Sequence, residues 1–347
     1  MTQKIPTTVV TGFLGSGKTT LIRHLIENAN GRRIALIVNE FGDVGMDGEM
    51  LKACGNPSCT EDDILELANG CICCTVAEDF IPTMEKILAR PERPDHIVIE
   101  TSGLALPQPL VRAFNWPEIK TQVTVDGVVT LVDAAAVTEG RFAADEAAVE
   151  AQRQADESLD HETPLSELFE DQVSCADLIV VSKADLVDDA GLETVETQIK
   201  IEMRPGVGIV RARHGALPLD VLLGLDAAAE DDDRKSHHEL YHGDEDDDHD
   251  HDDFDSFVAT GGAVGDPADL TRHIEGLMRT HNVLRLKGFA AVADKDMRLV
   301  VQAVGPRVDA YFDREWRADE PRETRLVVIG EAGLDHAAIT RALAEVC

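Results

Sequence analysis

The sequence predicts an α/β chain in which a mostly parallel sheet flanked by helices is followed by a small α+β domain. Three observations carry that expectation. Short apolar strands alternate with helical patterns through the earlier part of the 347 residues, as in a parallel sheet covered on both faces. The first strand runs straight into a glycine-rich loop and then a helix, an arrangement suited to holding phosphate. An acidic, histidine-rich run then interrupts the chain, and strands and helices follow it in a different order.

Taken in order, residues 7–10 are β-branched and read as a short buried strand. A helix is expected over 20–26, where Leu21, Ile22, Leu25 and Ile26 recur at helical spacing. Further apolar strands are expected at 34–38, 97–99, 128–132, 178–181 and 208–211. In such a sheet, ligands bind at the carboxyl ends of the strands. Residues 138–163 are polar, acidic and alanine-rich, which predicts a helical insertion with its helix at 143–156. Beyond the acidic run, strands are expected at 257–263, 284–293, 299–304 and 325–329, and helices at 267–280 and 335–346. This later part looks like a docking domain for a partner, with nothing catalytic in it. The boundaries that follow are 1–229 for the first domain, 230–255 for a linker and 256–347 for the second domain.

The linker holds 14 acidic residues, two basic ones and five histidines, His237, His238, His242, His249 and His251. Such a composition cannot bury a core and reads as disordered. Imidazole and carboxylate both bind divalent ions, so the run is expected to act as a weak, exchangeable metal store. The plainer alternative is a solvating linker. The net charge is −34, which disfavours nucleic acid and anionic membranes, because phosphate contacts need Lys and Arg. No run of 18 apolar residues exists to span a membrane, and the first six residues lack the apolar run of a signal peptide. A cytoplasmic setting is therefore expected, where thiols stay reduced and clustered cysteines bind metal or do redox work.

Gly12-Phe13-Leu14-Gly15-Ser16-Gly17-Lys18-Thr19 is a complete phosphate-binding loop. Gly12, Gly15, Ser16 and Gly17 let backbone N–H groups curl around phosphate oxygens, and the helix beginning near Thr20 adds its positive end. Lys18 is expected to reach the β- and γ-phosphates, and the Thr19 hydroxyl to ligate Mg²⁺. The strand at 97–99 runs into Glu100-Thr101-Ser102-Gly103. Glu100 can hold the hydration shell of Mg²⁺, and the Gly103 N–H can sense the γ-phosphate. Lys18, Thr19 and Glu100 form the expected catalytic set. The strand at 178–181 leads into Ser182-Lys183-Ala184-Asp185, a guanine-reading pattern in which Lys183 and Asp185 select GTP over ATP. Ser182 stands where Asn is commoner.

Seven cysteines lie at 54, 59, 71, 73, 74, 175 and 347. Cys71-Ile72-Cys73-Cys74 offers up to three thiolates on one tight loop, suited to soft or borderline ions such as Zn²⁺, Cu(I) or Co²⁺. No obvious second pair closes a four-ligand structural site, although Cys54 and Cys59 are a weak candidate. An open ligand set permits exchange, which suits a carrier. A redox pair or inert buried thiols are the bland alternatives.

With these motifs and Asn39-Glu40-Phe41-Gly42 in this order, the chain resembles the CobW family of P-loop GTPases, metal-handling relatives of the nickel-insertion GTPases. Leu284-Arg285-Leu286-Lys287-Gly288-Phe289 is similar to the opening strand of that family's C-terminal domain. The resemblance implies a slow GTPase that binds GTP, Mg²⁺ and either Co²⁺ or Zn²⁺, and passes the transition metal to a metal-accepting protein such as a cobalt chelatase. The CobW branch implies cobalt supply for cobalamin biosynthesis, with zinc delivery as the alternative. By the same resemblance Cys71, Cys73 and Cys74 are the metal ligands, with Glu40 as a fourth ligand or a switch carboxylate. Some relatives carry a histidine after Val132-Asp133-Ala134, but here Ala135, Ala136 and Val137 follow. Outside the carrier class stand a GTPase regulator with a permanent structural metal and a passive metal buffer.

Overall fold

The computed structural model describes residues 4–39, 64–67, 80–155, 165–224, 254–317 and 320–346. They fall into two compact units, one built on Lys4–Arg204 with Ile209–Leu223, the other on Gly224–Cys347 with two short stretches before it.

The first unit has seven strands: β1 (Ile5–Thr11), β2 (Ile34–Asn39), β3 (Ile64–Leu67), β4 (His96–Glu100), β5 (Val123–Asp133), β6 (Leu178–Ser182) and β7 (Gly208–Arg211). Their order in the sheet is β3-β2-β4-β1-β5-β6-β7, and β1 pairs parallel with both β4 and β5. Every residue of β4, β5 and β6 is buried, as parallel strands covered on both faces require. Helices α1 (Lys18–Glu27), α2 (Ile81–Leu88), α3 (Pro107–Ala113), α4 (Ala134–Thr138), α5 (Glu146–Ala155), α6 (Leu165–Cys175), α7 (Asp189–Glu202) and α8 (Leu219–Leu222) connect or flank them. On α1, Leu21, Ile22, Leu25 and Ile26 are buried as their spacing predicts. Phe80, Met84 and Ile87 from the α2 region pack with Ile97 and Ile99 of β4 in one core cluster.

Strand β5 begins at Val123, five residues before the expected 128. Asp126-Gly127 reads as a break in the sequence. In the fold, the register between β1 and β5 shifts at Thr7/Thr8, and Thr8 Oγ1 donates to the buried Asp126 carboxylate at 3.1 Å. A buried carboxylate inside a strand is tolerated because a neighbouring hydroxyl satisfies it. The insertion helix is α5, Glu146–Ala155, three residues shorter at its start than expected, because Asp145 accepts from Ala148 N there. Residues 156–164 of the insertion lie outside the described residues.

The second unit is a five-stranded antiparallel sheet of order β11-β10-β9-β12-β8. Its strands are β8 (Phe254–Gly261), β9 (Val283–Ala290), β10 (Met297–Val304), β11 (Arg307–Glu315) and β12 (Thr324–Glu331), with helices α9 (Pro267–Thr280) and α10 (His336–Ala344). Leu270, Ile274 and Leu277 of α9 and Ile339 and Leu343 of α10 share a core cluster with Leu286, Val301 and Leu326 of the sheet. Asp266 caps α9 by accepting from Ala268 N at 3.0 Å. Two corrections follow. β11 sets Val308, Ala310 and Phe312 in alternation with Asp309, Tyr311 and Asp313 and was not expected as a strand. β8 starts at Phe254, opposite Glu331, so residues 254 and 255 belong to the sheet and not to the linker. The rest of the linker, with its five histidines, lies outside the described residues.

A buried ionic cluster ties β10, β11 and the segment before β12. Arg298 meets Asp313 at 2.7 Å and Glu320 at 2.8 Å, and its guanidinium lies 3.3 Å from the Phe289 ring centroid. Burial alone pushes the Glu320 carboxyl up, but hydrogen bonds from Arg314 and the Arg317 N–H, with the charges of Arg298 and Arg314, bring it down to about 2. A carboxylate whose folded pKa is depressed stabilises the fold above its unfolded pKa, and that contribution is lost as pH falls through the folded value. The second unit is therefore expected to lose stability between about pH 4.5 and 2. In Glu320→Gln that part of the acid dependence should disappear, as followed by circular dichroism across a pH titration.

Candidate functional site

The site assembles where β1, β4, β5 and β6 end. Val10 of β1 is in register with Glu100 of β4, and Asp133 of β5 with Ser182 of β6. All four strands thus deliver their loops to one edge.

From β1 the chain turns at Gly12, with φ 137°. A Cβ there would lie 2.5 Å from the Leu131 carbonyl oxygen, so only glycine fits. Gly15 and Gly17 also have positive φ, at 74° and 97°. Gly17 precedes α1 without a side-chain cap, which leaves the helix's first N–H groups to an anion. The buried Lys18 curls back over the loop, donating from Nζ to the carbonyls of Gly12 at 2.8 Å and Phe13 at 3.2 Å. Ser16 Oγ is buried with no hydrogen-bond partner, an orphan that a phosphate oxygen would satisfy. Phosphate therefore fits the residues present.

Thr19 Oγ1 donates to Glu100 Oε1 at 3.4 Å. A hydroxyl and a buried carboxylate side by side form a hard oxygen pair suited to Mg²⁺. After Glu100, Thr101 N donates to Val10 O at 3.0 Å and Thr101 Oγ1 to Thr11 Oγ1 at 2.9 Å. Gly103 follows and lies directly on the phosphate loop, where a Cβ would come within 2.6 Å of Leu14 N.

Ser182 Oγ at the end of β6 lies 2.6 Å from Ser16 O and 3.1 Å from Val132 O. One hydroxyl hydrogen serves these two acceptors and stitches the phosphate loop to the next strands. Lys183 adopts φ 55° and pairs with Asp133 Oδ2 at 2.5 Å. The other Asp133 oxygen caps α4, accepting from Ala135 N and Ala136 N. Asp185 accepts from His214 N at 3.3 Å, so the loop after β7 reaches the same corner. Lys183 and Asp185 stand together there, beside the phosphate loop that Ser182 touches.

Glu40, Cys71, Cys73 and Cys74 lie outside the described residues, as do Cys54 and Cys59. Among the described residues no group of three or more metal-ligating side chains occurs, and no helix is long and apolar enough to cross a membrane. Sequence reasoning missed Asp133, Gln172 and His214. Asp133 had a signal, since a carboxylate ends an otherwise apolar strand. Gln172 and His214 had none, because their partners are more than 25 residues away in the chain.

A glycine-bent loop with a buried lysine, a hydroxyl–carboxylate pair and a Lys-x-Asp corner on one parallel sheet define a P-loop nucleotide-binding domain. A family model described as CobW/HypB/UreG, nucleotide-binding domain, matches residues 6–211, and one described as Cobalamin synthesis protein cobW C-terminal domain matches residues 254–347. The chain belongs to the CobW family of P-loop GTPases. It is similar to the zinc chaperone CobW of Sinorhizobium sp, 58% identical over 342 residues that cover 98% of this chain and 96% of the relative. It is also similar to the zinc chaperone CobW of Pseudomonas aeruginosa, 54% identical over 346 residues covering 98% and 91%. The zinc chaperone YjiA of Escherichia coli is 30% identical over 333 residues, 94% of each chain.

Removing the shared Asp133 carboxylate should strike two loops at once. Asp133→Ala is expected to lower the stability of the first unit by about 0.5–2 kcal/mol through the lost cap. It should also weaken guanine-nucleotide binding by freeing Lys183. Urea unfolding and nucleotide titration of the same sample measure the two effects.

Proposed function

We propose that this chain is a GTP-driven carrier that binds Zn²⁺ at Cys71, Cys73 and Cys74 and releases it to a metal-accepting protein when GTP is hydrolysed. The observation that carries the coupling is the shared sheet edge. Val38 is in register with Glu100, and Asn39 with Leu67, so β4, β2 and β3 end side by side, roughly 5 Å apart per strand. Cys71 lies four positions after Leu67 in the sequence, a reach of at most about 14 Å. Glu40 follows Asn39 directly. The strands that precede Glu40 and Cys71 therefore end beside Glu100 and run in the same direction. Zinc as cargo is supported by the names of the relatives that are 58% and 54% identical.

In this reading Gly12, Gly15, Ser16, Gly17 and Thr20 shape the phosphate cradle and the start of its helix. Lys18 leaves the Gly12 and Phe13 carbonyls for the β- and γ-phosphate oxygens, exchanging two neutral acceptors for charged ones. Thr19 and Glu100 would hold Mg²⁺, whose charge neutralises that developing on the phosphates in phosphoryl transfer. Asp185 accepts from the donor edge of guanine, and Lys183, held by Asp133, covers the base. Gly103 donates its N–H to the γ-phosphate while that group is present. When it leaves, Gly103 relaxes, the neighbouring loops lose their anchor, and the thiolate site weakens. Glu40 completes the metal site or the switch in the GTP state.

Co²⁺ at the same thiolates is the second reading, favoured by the family description of residues 254–347 as a cobalamin synthesis domain. Irving–Williams ordering places Zn²⁺ above Co²⁺ at such sites, so affinity alone does not separate cargo from competitor.

The test is a Co²⁺ titration of the reduced full chain, read by absorption, with Mg²⁺ and either a non-hydrolysable GTP analogue, GDP or no nucleotide. Thiolate-to-cobalt charge-transfer bands should be strong only with the analogue, should vanish in Cys73→Ser, and should be displaced by equimolar Zn²⁺. Metal should tighten analogue binding by the same factor that the analogue tightens metal. Equal metal binding in all three states would sink the coupling. Separately, Lys18→Ala should abolish GTP turnover and most nucleotide affinity in an equilibrium binding assay.

A further inference from the structure

Helix α6 carries Phe169 and Gln172 three residues apart, and so on one face. Each reaches a different loop of the nucleotide site. The Phe169 ring packs on Phe13 of the phosphate loop, centroids 6.3 Å apart, and on Phe142 at 5.3 Å. Gln172 is 1% exposed. Its Nε2 donates to Gly103 O and to Ala105 O, each at 3.1 Å. The Gln172 carbonyl accepts from Thr130 Oγ1 of β5 at 3.0 Å, which pins the helix to the sheet at the same residue.

The chemistry is specific to an amide. Both hydrogens of one NH₂ group are committed to carbonyls two residues apart, and those carbonyls belong to the loop that rests on Leu14 N. A carboxylate of the same length has no hydrogen to give, and an apolar side chain leaves two buried acceptors unmet. The position of Gly103 is thus set from two sides, by the phosphate loop beneath it and by α6 behind it.

We propose that Gln172 is a positioning residue for GTP hydrolysis. It fixes where the Gly103 N–H stands at the γ-phosphate, and it passes the loss of that phosphate to α6, the helix that follows the acidic insertion. This rests on the role given to Gly103 above and is independent of the identity of the metal.

The test compares wild type with Gln172→Met and Gln172→Glu in the full chain with Mg²⁺. Turnover of GTP should fall by about tenfold to a hundredfold, the cost of small misplacements in a preorganised site. Affinity for GDP should stay within about twofold, while preference for a non-hydrolysable GTP analogue over GDP shrinks by about tenfold. A merely structural role would weaken both nucleotides alike, and that result overturns the proposal, as does wild-type turnover in Gln172→Met. Should the variants fail to fold, hydrogen exchange on the wild type decides. Amides of Leu165–Cys175 should be protected differently with the analogue and with GDP, and equal protection overturns the coupling. Wild-type turnover, measured alongside, keeps this separate from the reading beneath it: a wild type that hydrolyses no GTP sinks the carrier reading itself.

Discussion

The place of β1 between β4 and β5 is the constraint on which the rest of the first unit depends. Because all three strands run parallel and end together, the phosphate loop emerges between a strand ending in Glu100 and a strand ending in Asp133. The contacts that follow are short-range and mostly to backbone: Lys18 on the Gly12 and Phe13 carbonyls, Thr101 on Val10, Ser182 on Ser16. Backbone acceptors change little with sequence. Geometry of this kind is set by the sheet and only then used by side chains. The glycines are needed for the same reason. At Gly12 and Gly103 the neighbouring backbone already occupies the volume of a Cβ.

In the proposed reading, nucleotide recognition and phosphate sensing meet at different depths. The Lys183–Asp133 pair lies at the base corner, with Asp133 almost wholly buried and Lys183 about a third exposed. The buried partner is held by two helix N–H groups, so the lysine has a fixed anchor and a free path to solvent. The loop after β4, by contrast, is gripped by α6 and rests on the phosphate loop.

Much of the fold was legible from residues alone. Six of the seven strands of the first unit, the helix at 267–280 and the order of motifs followed from apolar periodicity and from glycines at fixed offsets, whereas the four-residue β3 was not expected. What escaped had physical causes. β11 escaped because charged residues flank and separate its apolar positions, of which Val308 and Phe312 pack on the core beside β10. The early part of β5 escaped because Asp126 looks like a turn residue until Thr8 is brought to it across 118 positions. Gln172 and His214 escaped because long-range contacts give them their meaning. The family was therefore readable from its motifs, whereas the supports that hold those motifs in place were not.

Among the described residues, β11 and β8 at the ends of the second unit's five-stranded sheet are each paired on one side only. Unpaired edges invite other chains to add strands. Here one rim, β11, carries Arg307, Asp309, Asp313, Arg314 and Glu315, and the other, β8, is entered from the most acidic run of the chain. Charge of both signs on the β11 rim makes edge-to-edge strand addition costly. Residues that otherwise read as polar filler thereby disfavour self-association through that rim.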